Sequence, residues 1–93
     1  MPSYSLGDIL NANKVVFDSN VTGGTPQLVM ETPIIGIYLT IDHLTGLKKI
    51  YVVSVSEVSV LSGDGDAVLL LQNDSLYVAN PNSGTRRMQV FLL

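Results

Sequence analysis

Residues 50–61 read IYVVSVSEVSVL, twelve residues that carry one charge and contain neither glycine nor proline. Successive side chains of a β-strand point to opposite faces, so this stretch divides into two phases. Before Ser56 both the phase of Ile50 and the phase of Tyr51 are apolar, whereas after it mainly the phase of Val58 and Val60 is. A domain of 93 residues has little room to cover both faces of such a strand.

Two interpretations explain this change of pattern. The strand bends or bulges near residues 54–56 and passes from one layer of the protein to another, as strands of small barrels do. Alternatively, another subunit covers its outer face. We expect a bend together with some coverage by a partner.

Period-two patterns and β-branched residues recur along the rest of the chain, and no helical stripe is longer than one turn. The clearest alternation is in residues 34–43, where Ile37 and Leu39 share one face and Tyr38 and Thr40 share the other. This pattern is typical of a half-buried strand. The predicted strands are 14–18, 27–32, 34–43, 48–61, 67–72, 75–79 and 86–93, and residues 5–10 are expected to form a helical turn or an edge segment.

Turn residues separate these strands. Residues 44–46 and 73–74 predict two hairpins, and residues 62–66 predict a tight turn. Longer loops are expected at 20–26 and 80–85. The apolar end, residues 90–93, would fray if free, so we expect it to be paired or docked. The whole chain, 1–93, is predicted to be a single all-β domain: a small barrel or sandwich of about seven short, mostly antiparallel strands.

Charge is scarce, at 14% of residues against a usual value of about 25%. A monomer of this mass has a surface of about 5,000 Å², which leaves roughly 400 Å² for each charge. Weakly polar surface of that extent marks contact areas. We therefore expect the chain to associate with other copies of itself, with another protein, or with both.

Several other classes of partner fit poorly. The net charge is −3 with five basic residues, which disfavours a nucleic-acid backbone. The chain contains no cysteine, so neither disulfide nor thiolate chemistry is available. Its first ten residues lack the pattern of a secretory signal, and its apolar runs are too short to span a bilayer.

Candidate chemical sites are weak. His43 is the only histidine and is expected at a hairpin tip. The motif Asp64-Gly65-Asp66 places two carboxylates on a glycine-containing loop, which suits a hard cation, but these residue types are also the commonest turn formers. No serine lies in a nucleophile elbow, and no glycine-rich segment resembles a phosphate loop. We predict no catalytic residue, cofactor or metal site, and leave cation binding at 64–66 open.

Two groups of residues are the candidates for contact with a partner. The apolar group is expected to act in an interface or in closure of the fold. Its members are Tyr51, Val53, Val55, Phe91, Leu92 and Leu93. The charged group is Arg86 and Arg87, which face opposite sides of a strand and are expected to form a salt bridge with an acidic loop of a neighbouring subunit.

The chain contains no cysteine, carries little charge, and has Asn/Ser/Thr/Gly loops that join valine-rich strands. In this it resembles small all-β structural proteins of bacteriophage particles, such as capsid decoration (cement) proteins and tail subunits. The layout of residues 14–54 is also similar to that of SH3-like barrels: KVVFD, a polar loop, PIIGIY, then a hairpin returning as KKIYVV.

The first resemblance implies a non-enzymatic head or tail component that resides in the virion after assembly in the host cytoplasm. Its implied partners are other copies of the chain, a larger structural protein such as a capsid or tail protein, or both. The second implies a small module that recognises a peptide or glycan through loops 20–26 and 80–85.

Overall fold

The computed structural model describes residues 14–93, and the segment predicted at residues 5–10 lies outside this range. Eight β-strands make up the described fold. They are β1 (Lys14–Thr22), β2 (Gln27–Met30), β3 (Gly36–Asp42), β4 (Lys48–Val53), β5 (Val58–Gly63), β6 (Val68–Gln72), β7 (Ser75–Ala79) and β8 (Thr85–Leu92).

These strands form two antiparallel sheets. One sheet has five strands in the order β1-β8-β3-β4-β5, and the other has three in the order β2-β7-β6. The all-β prediction is therefore confirmed, with eight strands where about seven were expected, arranged as a sandwich. The expected pairing of the C-terminal strand is also confirmed, because β8 is hydrogen-bonded to β1 on one side and to β3 on the other.

The single strand predicted at 48–61 is wrong. The chain reverses at residues 54–57, and β5 returns antiparallel to β4 within the same sheet. Ser54 makes the turn: its backbone N–H donates to the carbonyl of Glu57 at 2.9 Å, and its hydroxyl donates to the same oxygen at 3.1 Å. The bend was expected at the right residues, but it does not carry the chain between layers. That crossing comes later, at residues 64–67.

The strand predicted at 34–43 lies with its polar phase inward. Tyr38, Thr40 and Asp42 are buried completely, while Ile37 on the other face is partly exposed. Each inward polar group has a partner, as burial requires. The Tyr38 hydroxyl donates to the Ile34 carbonyl, and the Thr40 hydroxyl donates to the Lys49 carbonyl at 3.1 Å.

A single core joins both sheets. Tyr38 of β3 and Tyr51 of β4 lie directly opposite each other at its centre. The Tyr51 hydroxyl donates to the Ala67 carbonyl at 2.7 Å, which ties the five-stranded sheet to the segment leading into β6. Burial raises the pKa of both tyrosines. The buried cluster consists of Val21, Tyr38, Tyr51, Val53, Ala67, Leu69, Leu76, Val78, Met88 and Val90.

Both predicted hairpins are confirmed. In the second, Asn73 and Asp74 have φ angles of 51° and 63°, the left-handed conformation that two-residue hairpin turns require. The loop predicted at 20–26 is shorter than expected, because β1 continues to Thr22. Val21 packs in the core, and the hydroxyl groups of Thr22 and Thr85 are 2.9 Å apart across the strands.

Two glycines with left-handed backbones give a test of this fold. Gly63 has φ of 107°, and a Cβ there would collide with the Lys48 carbonyl and the Lys49 Cα, whereas a Cβ at Gly46, with φ of 74°, would meet nothing. We expect Gly46→Ala to cost about 1 kcal/mol of stability. Gly63→Ala adds a backbone clash and should cost roughly 3 kcal/mol. Urea unfolding measures both, and equal losses would contradict the close approach of β5 to β4.

Candidate interaction surface

Two of the predicted interface residues lie in the interior. Tyr51 and Val53 are 3% and 0% exposed, and both belong to the core cluster. They close this chain's own fold and present no surface to a partner. The opposite phase of β4, which contains Val52, is the one on the outside.

The other apolar candidates are spread over three environments. Val55, in the turn between β4 and β5, is 79% exposed. Leu92 packs against the core from the inner face of β8. Phe91 lies on the outer face of the same strand and is nevertheless buried, while Leu93 next to it is exposed. Val55 and Leu93 are therefore the predicted residues available for contact.

Arg86 forms ion pairs with two acidic residues of its own chain. Its Nη1 lies 2.7 Å from Oδ2 of the fully buried Asp42 and 3.1 Å from Oδ2 of Asp66. Asp42 also accepts the Leu44 N–H at 2.9 Å, and Asn82 donates to Asp66 at 3.1 Å. The hydrogen bond to Asp42 raises the pKa of Arg86. This network joins the β3–β4 hairpin, the 64–67 crossing and β8, so the arginine predicted to reach a neighbouring subunit closes one end of its own fold.

Arg87 forms a second ion pair, at the surface. Its Nε and Nη2 each donate to the Asp18 carboxylate at 2.9 Å, and Gln89 donates to the same carboxylate at 3.1 Å. The hydrogen bonds from Arg87 are the main reason why the pKa of Asp18 lies below its ordinary value of 3.8. Both predicted arginines thus have acidic partners on their own chain, because β1 and β3 flank β8.

The outer face of the five-stranded sheet, meaning the face turned away from the core, divides into apolar and polar parts. Residues that lie opposite one another across the strands form rows. The first apolar row runs Val15, Phe91, Leu39, Ile50 and Ser62. The second runs Leu93, Ile37, Val52 and Ser59, joined at Leu93 by a hydrogen bond from its N–H to the Ile37 carbonyl.

No charged side chain belongs to these two apolar rows. The charges of this face lie further along the strands, where Asp18, Gln89, Ile41 and Lys48 form the next row. Val15, Ile37 and Val52 are each exposed by more than a third. Leu39 and Phe91, in the middle of the first row, are buried, so the exposed apolar surface lies mainly in the second row and is bounded on one side by charge.

An open groove extends this surface around the edge of the sandwich. It has a volume of about 410 Å³, and Ile35 and Val55 line it beside the apolar rows. Leu71 of the three-stranded sheet lies on its other wall, and Asp74 supplies its one carboxylate. The apolar surface thus reaches from the outer face to the space between the two sheets.

Sequence reasoning missed Ile35, Ile37 and Val52 as surface residues. The signal was present, since both phases of β4 are apolar and a neighbouring sheet covers only one of them. The sequence alone did not show which of the two phases of β4 the neighbouring sheet covers. That choice depends on Tyr38 and Tyr51, which have hydroxyl partners in the interior.

Loops 20–26 and 80–85, the candidates for peptide or glycan recognition, lie side by side. The Gly23 N–H donates to the Gly84 carbonyl at 2.9 Å. Asn80, which is buried, donates to the carbonyls of Val21 and Gly84. These bonds hold the two loops together at the same end of the sandwich as the Arg86 network.

The described side chains that could bind a metal ion or act in catalysis are not clustered. Across residues 14–93, no three His, Cys, Asp or Glu side chains come close enough together to hold a metal ion. Asp66, of the candidate 64–66 motif, has its carboxylate paired with Arg86 and Asn82. His43 lies within hydrogen-bonding distance of Gln89. Within the same residues there is no helix of the length and hydrophobicity needed to cross a bilayer.

Comparisons of the chain with protein-family models, with curated proteins and with solved structures find no match. The resemblances to phage structural proteins and to SH3-like barrels therefore stay predictions.

The two neighbouring arginines allow a matched test. Arg86→Ala leaves the carboxylate of Asp42 buried without its cation, which should cost about 3–5 kcal/mol. Arg87→Ala breaks an exposed pair and should cost about 0.2–1 kcal/mol. Denaturant unfolding of the two variants gives the comparison. The double variant Arg86→Ala/Asp42→Asn should regain part of the loss, and equal losses in the single variants would contradict the different burial of the two pairs.

The Asp18 pair predicts a small pH effect with a definite sign. Because folding lowers the pKa of Asp18, the pair stabilises the protein above the ordinary pKa of 3.8 and loses this effect as the pH falls through the lower folded value. Carboxyl-carbon NMR titration should give a midpoint below 3.8 for Asp18. Arg87→Ala should raise that midpoint, and an unchanged midpoint would show that the ion pair does not form in solution.

Proposed function

We propose that the protein is a non-enzymatic structural subunit of a viral (phage) particle, such as a capsid decoration or head/tail component. It assembles by burying apolar β surface against other proteins. The observation that carries this proposal is the outer face, where Ile37 and Val52 are exposed in rows without charge and the surface continues to Val55.

The size of this surface suits repeated, individually modest contacts. About six apolar side chains, each roughly half exposed, leave on the order of 300 Å² of apolar area at ~100 Å² per side chain. At ~25 cal/mol per Å², burial would supply about 8 kcal/mol. Association itself costs about 4–15 kcal/mol, so one contact is weak. Subunits repeated over a particle gain avidity from many such contacts.

The virion assignment rests further on the resemblance in composition and on the scarcity of charge. The genes that flank this protein's gene test it. Neighbouring capsid, portal or tail genes would support a particle component. A location among genes of unrelated metabolism would contradict it.

A second candidate is a small SH3-like module that recognises a peptide or glycan through loops 20–26 and 80–85. It is favoured by the hydrogen bonds that join the loops, since a recognition site needs loops held in fixed positions. This candidate requires binding by a monomer. Loop variants such as Ser83→Lys should then abolish capture on peptide or glycan arrays without changing the fold.

Surface assembly gives a direct prediction for Val52, in the centre of the second apolar row. Val52→Lys places a charge among apolar side chains and should weaken association at least tenfold, measured by light scattering over a range of protein concentrations. Ser83→Lys is the control, since it adds the same charge at an exposed position between β7 and β8. Equal association of the two variants would contradict a role for the outer face.

A further inference from the structure

Strand β5 is the least protected edge of the described fold. Its one partner among residues 14–93 is β4, which leaves its other side without a hydrogen-bonding strand. Val60 and Leu61 are 56% and 57% exposed, and every β5 residue after Val58 is exposed. Its sequence, VSVLSG, contains no charge and no proline. Charged side chains and prolines are the features that normally prevent a sheet edge from pairing with another chain.

The other three edges differ from β5. β1 carries Lys14 and Asp18 and lies against β2 of the other sheet. β2 has only four residues and an irregular register with β7. β6 contains the buried Leu69 and the half-buried Val68 and Leu70, so less of it is available. Among the described edges, β5 alone combines six residues, exposure of all but Val58 and a sequence without charge, and its register with β4 also shifts between Ile50 and Tyr51.

We propose that β5 is a self-association edge: two copies of the chain pair their β5 strands antiparallel about a two-fold axis and so join two five-stranded sheets. This inference rests on the proposed assembly function and names the partner as a second copy of the chain. Antiparallel pairing of a strand with itself is self-complementary, because the two-fold axis places each donor opposite an acceptor.

The charges that flank β5 are compatible with such a pair. Glu57 precedes the strand and Asp64 follows it. Antiparallel pairing brings Glu57 of one copy towards residue 64 of the other. Lys48 lies opposite Asp64 within each copy, where its carbonyl accepts the Asp64 N–H at 3.1 Å. Each end of the pair then holds Glu57, Asp64 and Lys48, a net charge of −1, in which the lysine offsets one of the two carboxylates.

The contact area indicates a reversible dimer. Six residues at about 3.3 Å each give an edge of roughly 20 Å. With the side chains on both faces, the contact is also about 20 Å wide, or ~400 Å² per copy, half of a standard interface. A dimer of this size should dissociate on dilution, so its test must cover a wide range of concentrations.

Cysteine cross-linking tests the pairing directly, because the chain contains no cysteine of its own. Opposed residues of antiparallel strands have Cα atoms about 4.5–5.5 Å apart, within the range of a disulfide. We expect Val60→Cys or Leu61→Cys, which lie near the middle of β5, to form oxidised dimers at least tenfold faster than Ser83→Cys. Equal rates at all three positions would overturn the β5 pairing.

A charge variant separates this inference from the proposed function. Leu61→Lys puts two like charges near the two-fold axis and should weaken dimerisation at least tenfold relative to Ser83→Lys, with an unchanged circular dichroism spectrum. Dimers that resist Leu61→Lys but dissociate in Val52→Lys would overturn the β5 edge and support the outer face as the assembly surface. A wild-type monomer at millimolar concentration would overturn self-association, while gene neighbourhood still tests the particle assignment.

Discussion

A three-stranded sheet covers only one face of a five-stranded sheet, and the rest of this structure follows from that constraint. β4 has apolar residues in both phases, so one apolar phase of β4 must remain outside whatever the register. Burying the phase of Tyr38 and Tyr51 leaves Ile37 and Val52 on the outer face. The apolar surface is thus a consequence of strand composition and sheet size, and it cannot be removed by local repacking.

The choice of phase depends on hydrogen bonding as much as on hydrophobicity. A buried tyrosine contributes a large apolar ring, but its hydroxyl needs a partner. Tyr51 finds the Ala67 carbonyl and Tyr38 finds the Ile34 carbonyl, so each ring attaches a connecting segment to the core. Asp42 follows the same phase inward and depends on Arg86. An isoleucine phase turned inward would leave these polar groups in water and separate the segments they hold.

Local patterns in the sequence predicted the fold class and most strands, and failed where a turn lacked its usual residues. The turn at Asn73 and Asp74 carries residue types that tolerate positive φ, and it was predicted. The turn at 54–57 contains no glycine, proline or asparagine. Ser54 closes it with both its backbone and its hydroxyl, a role that composition does not reveal. The arginine pairs were equally hidden, because Arg86 meets Asp42 only through the order of strands in the sheet.

The two surfaces left by this arrangement use different interactions, and their geometry makes them complementary. The β5 edge offers backbone groups in the plane of the sheet, and the outer face offers side chains perpendicular to that plane. When two β5 strands pair antiparallel, residues opposite each other keep the same face. Both outer faces of the resulting dimer then point to one side and form a doubled apolar surface. Two weak contacts on one rigid unit bind a repeating surface far more tightly than either contact alone. Under the proposed assembly, an unprotected edge, normally a hazard for a small β-protein, would have a use that matches the scarcity of charge along the chain.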